Sequence, residues 1–365
     1  MRRRFFRVMM VTAAAAGLLA APVACTPARD VRSILDDDLH PPRLVGAEMT
    51  GRRTAVVRLS KAAEPIEEVF RLEVEADAAE SSVSYPGEGT RAIDVAVGPG
   101  EAPHLLQVEF GEESEPGTRY TLGGAAEDDN GNSLQFVVYL YGYNPDLPEV
   151  QINEFNTRRS ANHPEIVELL VLEAGNLGGM TITNGTASDF NSRYVFPGVA
   201  VAEGEYVLVH FRPEGIAEEV DELGDDLARS GGLNAHDAAR DVWVRDGAGL
   251  PGNNGTIVVY ESPGGGIVDA APYTNRTSES DERYDGFGST RMLEWVRHIV
   301  DEGAWVIEGA HPRPEDLIWI DDSTATRSMN RTPGAPNTRS RSDWHTAPTS
   351  GSTWGEENTT EIYEP

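Results

Sequence analysis

The 365-residue sequence contains 30 Lys and Arg against 60 Asp and Glu, which gives a formal net charge of −30. So acidic a chain argues against nucleic acid or anionic lipid headgroups as main partners, because both require a cationic surface. With 39% hydrophobic residues, 37 Gly and 23 Pro, the chain can build more than one hydrophobic core, and we predict two domains.

A secretory signal is predicted at the start of the chain. The basic segment 2–7 is followed by an apolar run from Val8 to Ala24, which ends at Cys25. A basic start, a short apolar segment and small residues before a cleavage point are typical of exported proteins. The run is too short and too rich in Ala for a membrane-spanning helix. We therefore expect residues 1–24 to be removed.

Cys25 is the single cysteine of the chain and directly follows Ala24. This arrangement resembles bacterial lipoprotein signals, although Pro22 stands where such signals usually have Leu, which leaves ordinary cleavage as the alternative. The resemblance implies that acyl chains on Cys25 anchor the protein in a membrane. It also implies a place in the cell envelope. The polar and acidic composition that follows Cys25, with three adjacent aspartates at 36–38, predicts an acidic tether over residues 25–41. The outer membrane or cell surface is favoured, since Thr26 offers no obvious signal for retention at the inner membrane.

Residues 42–146 are predicted to form a β-sandwich. Apolar residues alternate along short segments that are separated by Gly, Pro, Asp and Ser, which is typical of strands. The segments are 53–60, 69–76, 92–98, 104–111, 119–128 and 133–142. The stretch 116–134 resembles the end of bacterial immunoglobulin-like domains, and this resemblance implies an immunoglobulin-like topology.

One turn in this region suggests calcium. Its oxygen-bearing side chains are Asp128, Asp129, Asn130 and Asn132. Such side chains suit a hard cation, but Gly131 lies two places early for a calcium loop and Tyr139 stands where a bidentate Glu is needed. A hairpin turn with Asn-Gly at its apex is therefore favoured. Calcium is the only cofactor that the sequence leaves open.

A second domain is predicted over residues 148–337. Its motifs, in chain order, are Ile152–Glu154, Glu165–Leu169, Gly175–Ile182, Phe196-Pro197, Glu205–His210, Gly255–Tyr260, Gly266–Asp269 and Arg331–Asn337. In this combination and order they resemble the lamin-tail domain family, which consists of immunoglobulin-like β-sandwiches that act as interaction modules. The resemblance implies an all-β protein with two tandem immunoglobulin-like β-sandwiches. It departs from the family at Met180, where a Trp is usual, and in an insertion at 214–240.

The insertion and two later segments carry further predictions. The apolar residues of the insertion are Ile216, Val220, Leu223 and Leu227, among many acidic residues. Their spacing fits one face of a helix, so the sequence predicts a helical acidic insertion. A second helix is predicted over 289–302, with a strand as the alternative. Residues 338–365 contain few apolar residues, and we predict a disordered tail.

The sequence shows no catalytic motif of a common type. The phosphate-binding loop requires a lysine after glycine, and Lys61 follows Ser60. The G-x-S-x-G and H-E-x-x-H patterns are absent. A metal site could still gather dispersed ligands, for which the candidates are His163, His210, His236 and Asp237. We favour instead a place at a strand edge for His210, and we assign no catalytic, cofactor or metal residues.

Two groups of residues have both a functional and a structural interpretation. Asn153 and Glu154, with Glu165 or Glu168 as a second carboxylate, could perform acid–base chemistry. Bonding to neighbouring backbone at a sheet edge is favoured for them. The tryptophans that could form a sugar-stacking platform are Trp243, Trp295, Trp305 and Trp319, and a core role is favoured for these.

Two classes of function follow. The first is a cell-envelope lipoprotein, attached to the membrane through Cys25, whose sandwich loops bind an unidentified protein or polysaccharide without catalysis. The alternative is a secreted hydrolase or a calcium-dependent carbohydrate-binding protein. Its acidic loops would lie around Asn153, Asp189, Asp237 and Asp246.

Overall fold

The computed structural model describes residues 39–75, 90–163, 165–279 and 283–365. The predicted signal peptide, Cys25 and nearly all of the tether lie outside these residues, so their predictions stay untested. Over the described ranges no helix is long and apolar enough to cross a membrane. Strands dominate, and the all-β prediction is confirmed.

The first part of the described chain is built from short strands. These are β1 (Leu44–Gly51), β2 (Thr54–Leu59), β3 (Glu64–Pro65), β4 (Arg71–Glu75), β5 (Thr90–Ile93), β6 (Val95–Pro99), β7 (Leu105–Phe110), β8 (Arg119–Glu127) and β9 (Ser133–Tyr141). Each predicted segment of this region contains a strand. Strands β1 and β3, of which β3 has only two residues, were not predicted, and the single predicted segment 92–98 spans the end of β5 and most of β6.

These strands form two sheets that share one core. One sheet has the order β1-β2-β7-β6, and the other contains β3, β8, β4 and β5 with β9 paired to β8. Alternate residues of both sheets are buried in a common cluster that includes Val57, Leu106, Leu72 and Leu122. Because one face of each sheet is packed and the other is exposed, the strands show the alternation that made them recognisable in the sequence.

The second part of the chain contains the remaining strands and the helix. The strands are β10 (Glu149–Asn156), β11 (Ile166–Glu173), β12 (Gly175–Asn176), β13 (Thr181–Gly185), β14 (Phe190–Val195), β15 (Ala200–Val201), β16 (Tyr206–His210), β17 (Arg240–Trp243), β18 (Asn254–Tyr260), β19 (Ile267–Thr274), β20 (Ile318–Trp319), β21 (Met329–Arg331) and β22 (Trp344–Thr346). The helix α1 spans Thr290–Asp301.

Two sheets of this part pack against each other in a sandwich-like arrangement. Their strand orders are β17-β16-β11-β10-β21-β22 and β14-β13-β18-β19-β20. Both sheets contribute to one core cluster, to which Phe155, Val209, Ile257 and Tyr273 belong. Complete burial of side chains of this size contributes about 1.5–3 kcal/mol each. The core fixes β10 and β11 in the middle of their sheet, where the predicted acid–base residues lie.

Residues 289–302 were predicted as a helix, with a strand as the alternative, and the structure has the helix α1 there. The side chain of Ser289 caps the helix by accepting the N–H of Met292 at 3.2 Å. Met292, Trp295, Val296 and Ile299 are buried against the core at helical spacing. A strand would turn alternate residues to opposite faces and could not bury this set together.

The prediction of a helical acidic insertion is wrong. Residues 214–239 contain turns and irregular backbone without a helix. Ile216 and Leu223, expected on a buried helical face, are exposed. Over residues 214–238 the buried side chains are instead those of Glu219 and Glu222, whose carboxylates accept loop N–H groups. In this insertion the backbone N–H groups bond to side-chain carboxylates and not to the backbone carbonyls that a helix would use.

Glu222 is the centre of the insertion. Its Oε1 accepts the N–H groups of Arg229 at 3.0 Å and Ser230 at 2.9 Å, and its Oε2 accepts that of Asp241 at 2.9 Å. We expect Glu222→Ala to lower the free energy of unfolding by about 3 kcal/mol, because buried donors lose their acceptor. Asp225→Ala, at an exposed position of the same loop, is the control and should stay within about 0.5 kcal/mol of wild type. Urea unfolding measures both, and equal effects of the two changes would contradict the role of Glu222.

The prediction of a disordered tail over 338–365 is also wrong. Strand β22 pairs with β21 at the edge of the six-stranded sheet. Beyond it, Thr353 and Asn358 bond to residues about 200 positions earlier in the chain. Local composition predicts disorder, but it contains no information about acceptors that lie elsewhere in the fold.

Candidate functional site

The carboxylates predicted as a possible acid–base pair face each other. Glu154 on β10 lies opposite Glu168 on β11, and directly opposed residues have Cβ atoms about 4.5–5.5 Å apart. A register irregularity between Ile152 and Glu154 changes which residues of β10 face the core. Both carboxylates are completely buried. The residues lie on inner strands, so the predicted position at a sheet edge is wrong.

The C-terminal segment 352–358 covers this pair. Thr353 donates its N–H and its hydroxyl to Oε2 of Glu154, at 2.9 and 2.7 Å. The N–H of Gly355 donates to Oε2 of Glu168 at 2.6 Å, and the amide of Asn153 donates to Oε1 of Glu168 at 2.7 Å. The polar tail therefore supplies the donors that two buried carboxyl groups need.

Burial changes the proton affinity of both groups. It raises the pKa of Glu154 to about 7. Burial first, and then the neighbouring Glu154 charge, raises the pKa of Glu168 to about 8. Two carboxylates this close do not both ionise readily near neutral pH. Raised values of this kind occur in active sites, but here the tail occupies the position from which a substrate would approach.

Asn358 completes the cover. Its amide donates to the backbone oxygens of Asn153 and Arg331, both at 2.8 Å, and its Oδ1 accepts the amide of Asn153 at 3.0 Å. The segment thus connects β10, β21 and the carboxylate pair. We interpret the group as a structural clasp, and name these residues, Asn153, Glu154, Glu168, Thr353, Gly355 and Asn358, the C-terminal clasp.

A second buried network surrounds Arg331, the first residue of the RTPGAPN motif. Its guanidinium donates to Asp269 at 2.9 Å, to the backbone oxygen of Ile152 at 2.8 Å and to Asp343 at 3.4 Å. It also lies 4.7 Å from the centre of the Trp344 ring. Burial raises the pKa of Asp269, while Arg331 opposes this change. The motif therefore connects both sheets through paired charges.

His210 lies in the interior and not at the predicted strand edge. It is on β16, between β11 and β17, and is completely buried. Its Nε2 is 2.6 Å from Oδ1 of Asp241, and its ring stacks on Trp243 with centroids 3.8 Å apart. The second oxygen of Asp241 accepts the N–H of His236 at 3.0 Å. Among the described residues, no cluster of three or more His, Cys, Asp or Glu could hold a metal ion.

The other predicted candidates are dispersed. Asp189 is bound by Arg291 through two hydrogen bonds, at 2.8 and 2.6 Å, and by the indole N–H of Trp295 at 2.9 Å. Asp237 and Asp246 are exposed. The fold does not bring these residues together with Asn153, which lies in the C-terminal clasp. Of the four tryptophans considered as a platform, Trp243, Trp295 and Trp305 are buried, in agreement with a core role.

The turn considered for calcium is a hairpin turn between β8 and β9. Gly131 adopts a positive φ of 82°, and Oδ1 of Asp128 accepts the N–H groups of Asn130 at 3.0 Å and Asn132 at 2.9 Å. The ammonium of Lys61 lies 2.6 Å from the other carboxylate oxygen. These contacts, with the Lys61 hydrogen bond first, hold the pKa of Asp128 well below its usual range. The ammonium of Lys61 thus binds the oxygen of Asp128 that a calcium ion would use as a ligand.

A group of arginines that was not predicted from the sequence lies at one end of the sandwich-like pair of sheets in the second part of the chain. Arg158 and Arg159 follow β10, and Arg212 follows β16. Arg212 follows the Arg158-Arg159 pair by about 50 residues in the chain. The order of the strands in the sheet brings the three arginines to the same end. The sole sequence signal is the Arg158-Arg159 pair in a strongly acidic chain.

Residues 148–346 match the profile of a protein family described as "protein second domain". An uncharacterized protein of Treponema pallidum (strain Nichols) is 30% identical over 259 residues, which are 68% of this chain and 63% of that protein. The chain thus spans less than two thirds of the length of this relative.

Two solved structures show weak similarity. The copper resistance protein PcoC from Escherichia coli shares 13% identity, and the match covers 27% of this chain and 96% of PcoC with a TM-score of 0.22. Domains 1–6 of the surface layer protein SbsC share 12% identity, with 64% of this chain and 41% of that chain covered and a TM-score of 0.24. Similarities this low carry no functional conclusion.

Proposed function

The chain belongs to the protein family described as "protein second domain", and we propose that it is a cell-envelope lipoprotein with a binding role and no catalysis. Acyl chains on Cys25 attach it to the membrane, and the tether leads to two tandem immunoglobulin-like sandwiches, the second of lamin-tail type. The loops at the ends of these sandwiches bind a protein or polysaccharide at the outer membrane or cell surface.

One observation carries the non-catalytic part of this proposal. The carboxylates best placed for acid–base chemistry, Glu154 and Glu168, are completely buried and covered by segment 352–358, whose N–H and O–H groups they accept. A general acid or base must reach the proton that it transfers. These groups face donors of their own chain, so they serve to hold the fold together.

Two measurements test this function. Metabolic labelling of cells with palmitate should mark the wild-type protein and leave Cys25→Ser unlabelled and released from the membrane fraction. The purified wild-type protein should show no turnover of a panel of polysaccharides and nucleic acids. Labelling that survives Cys25→Ser contradicts the anchor, and turnover that is lost in Glu168→Gln contradicts the structural role of the carboxylates.

A further inference from the structure

The end of the second sandwich carries a concavity that is lined by arginines. Strand β10 ends beside the start of β11, with Asn156 opposite Ile166, and the end of β16 meets the same place through His210. The loops that follow or precede these strands lie together with the loop before β18. They enclose about 340 Å³, lined chiefly by Thr157, Arg158, Arg159, Glu165, Arg212 and the Pro251-Gly252 backbone. We name this concavity the arginine cup.

The charge of the arginine cup is opposite to that of the whole chain. Three guanidinium groups face one carboxylate, in a protein with a net charge of −30. The carboxylate of Glu165 offsets them only in part, since one carboxylate stands against three guanidinium groups. Its Oε2 accepts the N–H of Leu250 at 2.7 Å, and its Oε1 forms a long ion pair with Nε of Arg159 at 3.9 Å. Burial raises the pKa of Glu165, while the N–H of Leu250 and the charges of Arg212 and Arg159 oppose this change.

The backbone of the cup holds Glu165 in this position. Gly249 has a positive φ of 76°, and a Cβ at this residue would meet Oε2 of Glu165 at 2.0 Å. The loop therefore approaches the carboxylate more closely than any other residue type allows. Arg212 donates from Nη1 to the backbone oxygen of Ala248 at 3.3 Å, and a guanidinium has four further N–H donors.

Two polar atoms of the cup are buried without a partner. Thr157 is 3% exposed, and its hydroxyl makes no hydrogen bond within the described part of the chain. The same holds for Nε of Arg158. Unsatisfied buried polar groups are unfavourable and uncommon in folded proteins, so a partner such as a water or an ion is expected beside them. Nε of Arg158 can only donate, and the hydroxyl of Thr157 can donate or accept, so one accepting group can satisfy both.

We propose that the arginine cup binds a compact oxyanion, a carboxylate or phosphate group, through Arg158, Arg212 and the hydroxyl of Thr157, with Arg159 at the rim. The planar fork of a guanidinium matches the paired oxygens of such groups. The surrounding negative charge is screened beyond about 8 Å at physiological salt, so a small anion can enter. A long polyanion meets the acidic surface and is repelled. This inference rests on the proposed binding role and gives it a ligand class.

Isothermal titration calorimetry of the wild-type protein tests the cup, with inorganic phosphate, D-glucuronate and neutral D-glucose as probes. We expect phosphate or glucuronate to bind and glucose not to bind. Arg212→Gln and Arg158→Gln should each weaken the anion about 10- to 100-fold, as expected for loss of charged hydrogen bonds. Arg212→Lys keeps the charge without the fork and should give an intermediate loss. Arg52→Gln, at a residue in a distant exposed ion pair with Glu113, is the matched control and should leave affinity unchanged.

A second variant removes the hydroxyl without changing charge. Thr157→Val should weaken the anion several-fold and leave the melting temperature equal to or above that of wild type, since an unpartnered buried hydroxyl is lost. A preference for phosphate or for glucuronate identifies the source of the oxyanion, and either supports the cup. Absence of binding of both anions to wild type overturns the proposal, as does equal binding by correctly folded Arg212→Gln. Neither titration depends on anchoring or turnover, so these failures are distinct from failure of the proposed function.

Discussion

Replacing Arg331 with Met is expected to lower the free energy of unfolding by about 3–5 kcal/mol, because it leaves partner charges buried and uncompensated. The side chain of Arg331 is 4% exposed, and those of Asp269 and Asp343 are 3% and 4% exposed. Asp269 then retains only uncharged donors, which include the N–H of Ile152 at 2.8 Å and the amide of Asn337 at 3.4 Å, and these do not compensate a buried charge. Methionine preserves most of the side-chain length, so the effect reports the charge and its hydrogen bonds.

The control for Arg331 is an exposed ion pair of the same type. Arg52 and Glu113 lie 3.5 Å apart, and each side chain is 57% exposed. Arg52→Met should therefore change the free energy of unfolding by no more than about 1 kcal/mol. Urea unfolding of both variants measures the difference. If the two substitutions cost the same, the buried network around the RTPGAPN motif does not have the role assigned to it.

Removal of residues 352–365 is expected to lower the free energy of unfolding by about 3 kcal/mol near pH 6, because the C-terminal clasp loses several hydrogen bonds. The truncation should also change how stability depends on pH. In the full chain, the pKa values of Glu154 and Glu168 are raised above the ordinary 4.5 to about 7 and about 8. Exposure to water after truncation should return both pKa values toward 4.5.

The sign of this pH dependence follows from proton binding. Between pH 4.5 and about 8 the folded chain holds protons on these carboxyls that the unfolded chain has released. The stability that these groups contribute is therefore complete below pH 4.5 and falls as pH rises through 7 and 8. The fall is at most about 1.4 kcal/mol per pH unit for each group. Unfolding measured from pH 5 to pH 9 tests this.

Glu168→Gln is the matched variant for the pH series. It removes one of the two titrating groups and leaves one donor, from Asn153 or Gly355, without a suitable acceptor. We expect it to be less stable than wild type at pH 5 and to recover relative stability as pH rises. Glu113→Gln, at an exposed position, should follow the wild-type slope. A constant difference between Glu168→Gln and wild type over this range would mean that Glu168 does not titrate there.

The strands were predictable because their signals are local. In β2 and β7, Val57 and Leu106 alternate with exposed positions, and this pattern requires only that one face of the sheet be buried. The motif at Ile152–Glu154 likewise indicated a strand. The sequence could not show that Glu154 lies on an inner strand beneath Thr353, since the donor is 199 positions away.

The failures share one physical cause. The apolar spacing of Ile216 and Leu223 suggested a helix, yet the loop is organised by Glu219 and Glu222, whose carboxylates accept backbone N–H groups. The tail was predicted to be disordered because its residues are polar. Those residues are ordered because they bond to buried acceptors that lie elsewhere in the fold. Residue composition does not distinguish polar side chains that form internal hydrogen bonds from polar side chains that face water.

We infer that Glu154 and Glu168 are structural acceptors buried beneath the C-terminal segment. A ¹³C NMR pH titration of the glutamate carboxyls tests this, with Glu154→Gln and Glu168→Gln used to assign the two signals. We predict midpoints near pH 7 and pH 8 in the full chain, and midpoints near the ordinary 4.5 after removal of residues 352–365. Midpoints near 4.5 in the full chain, or raised midpoints that survive the truncation, would contradict it.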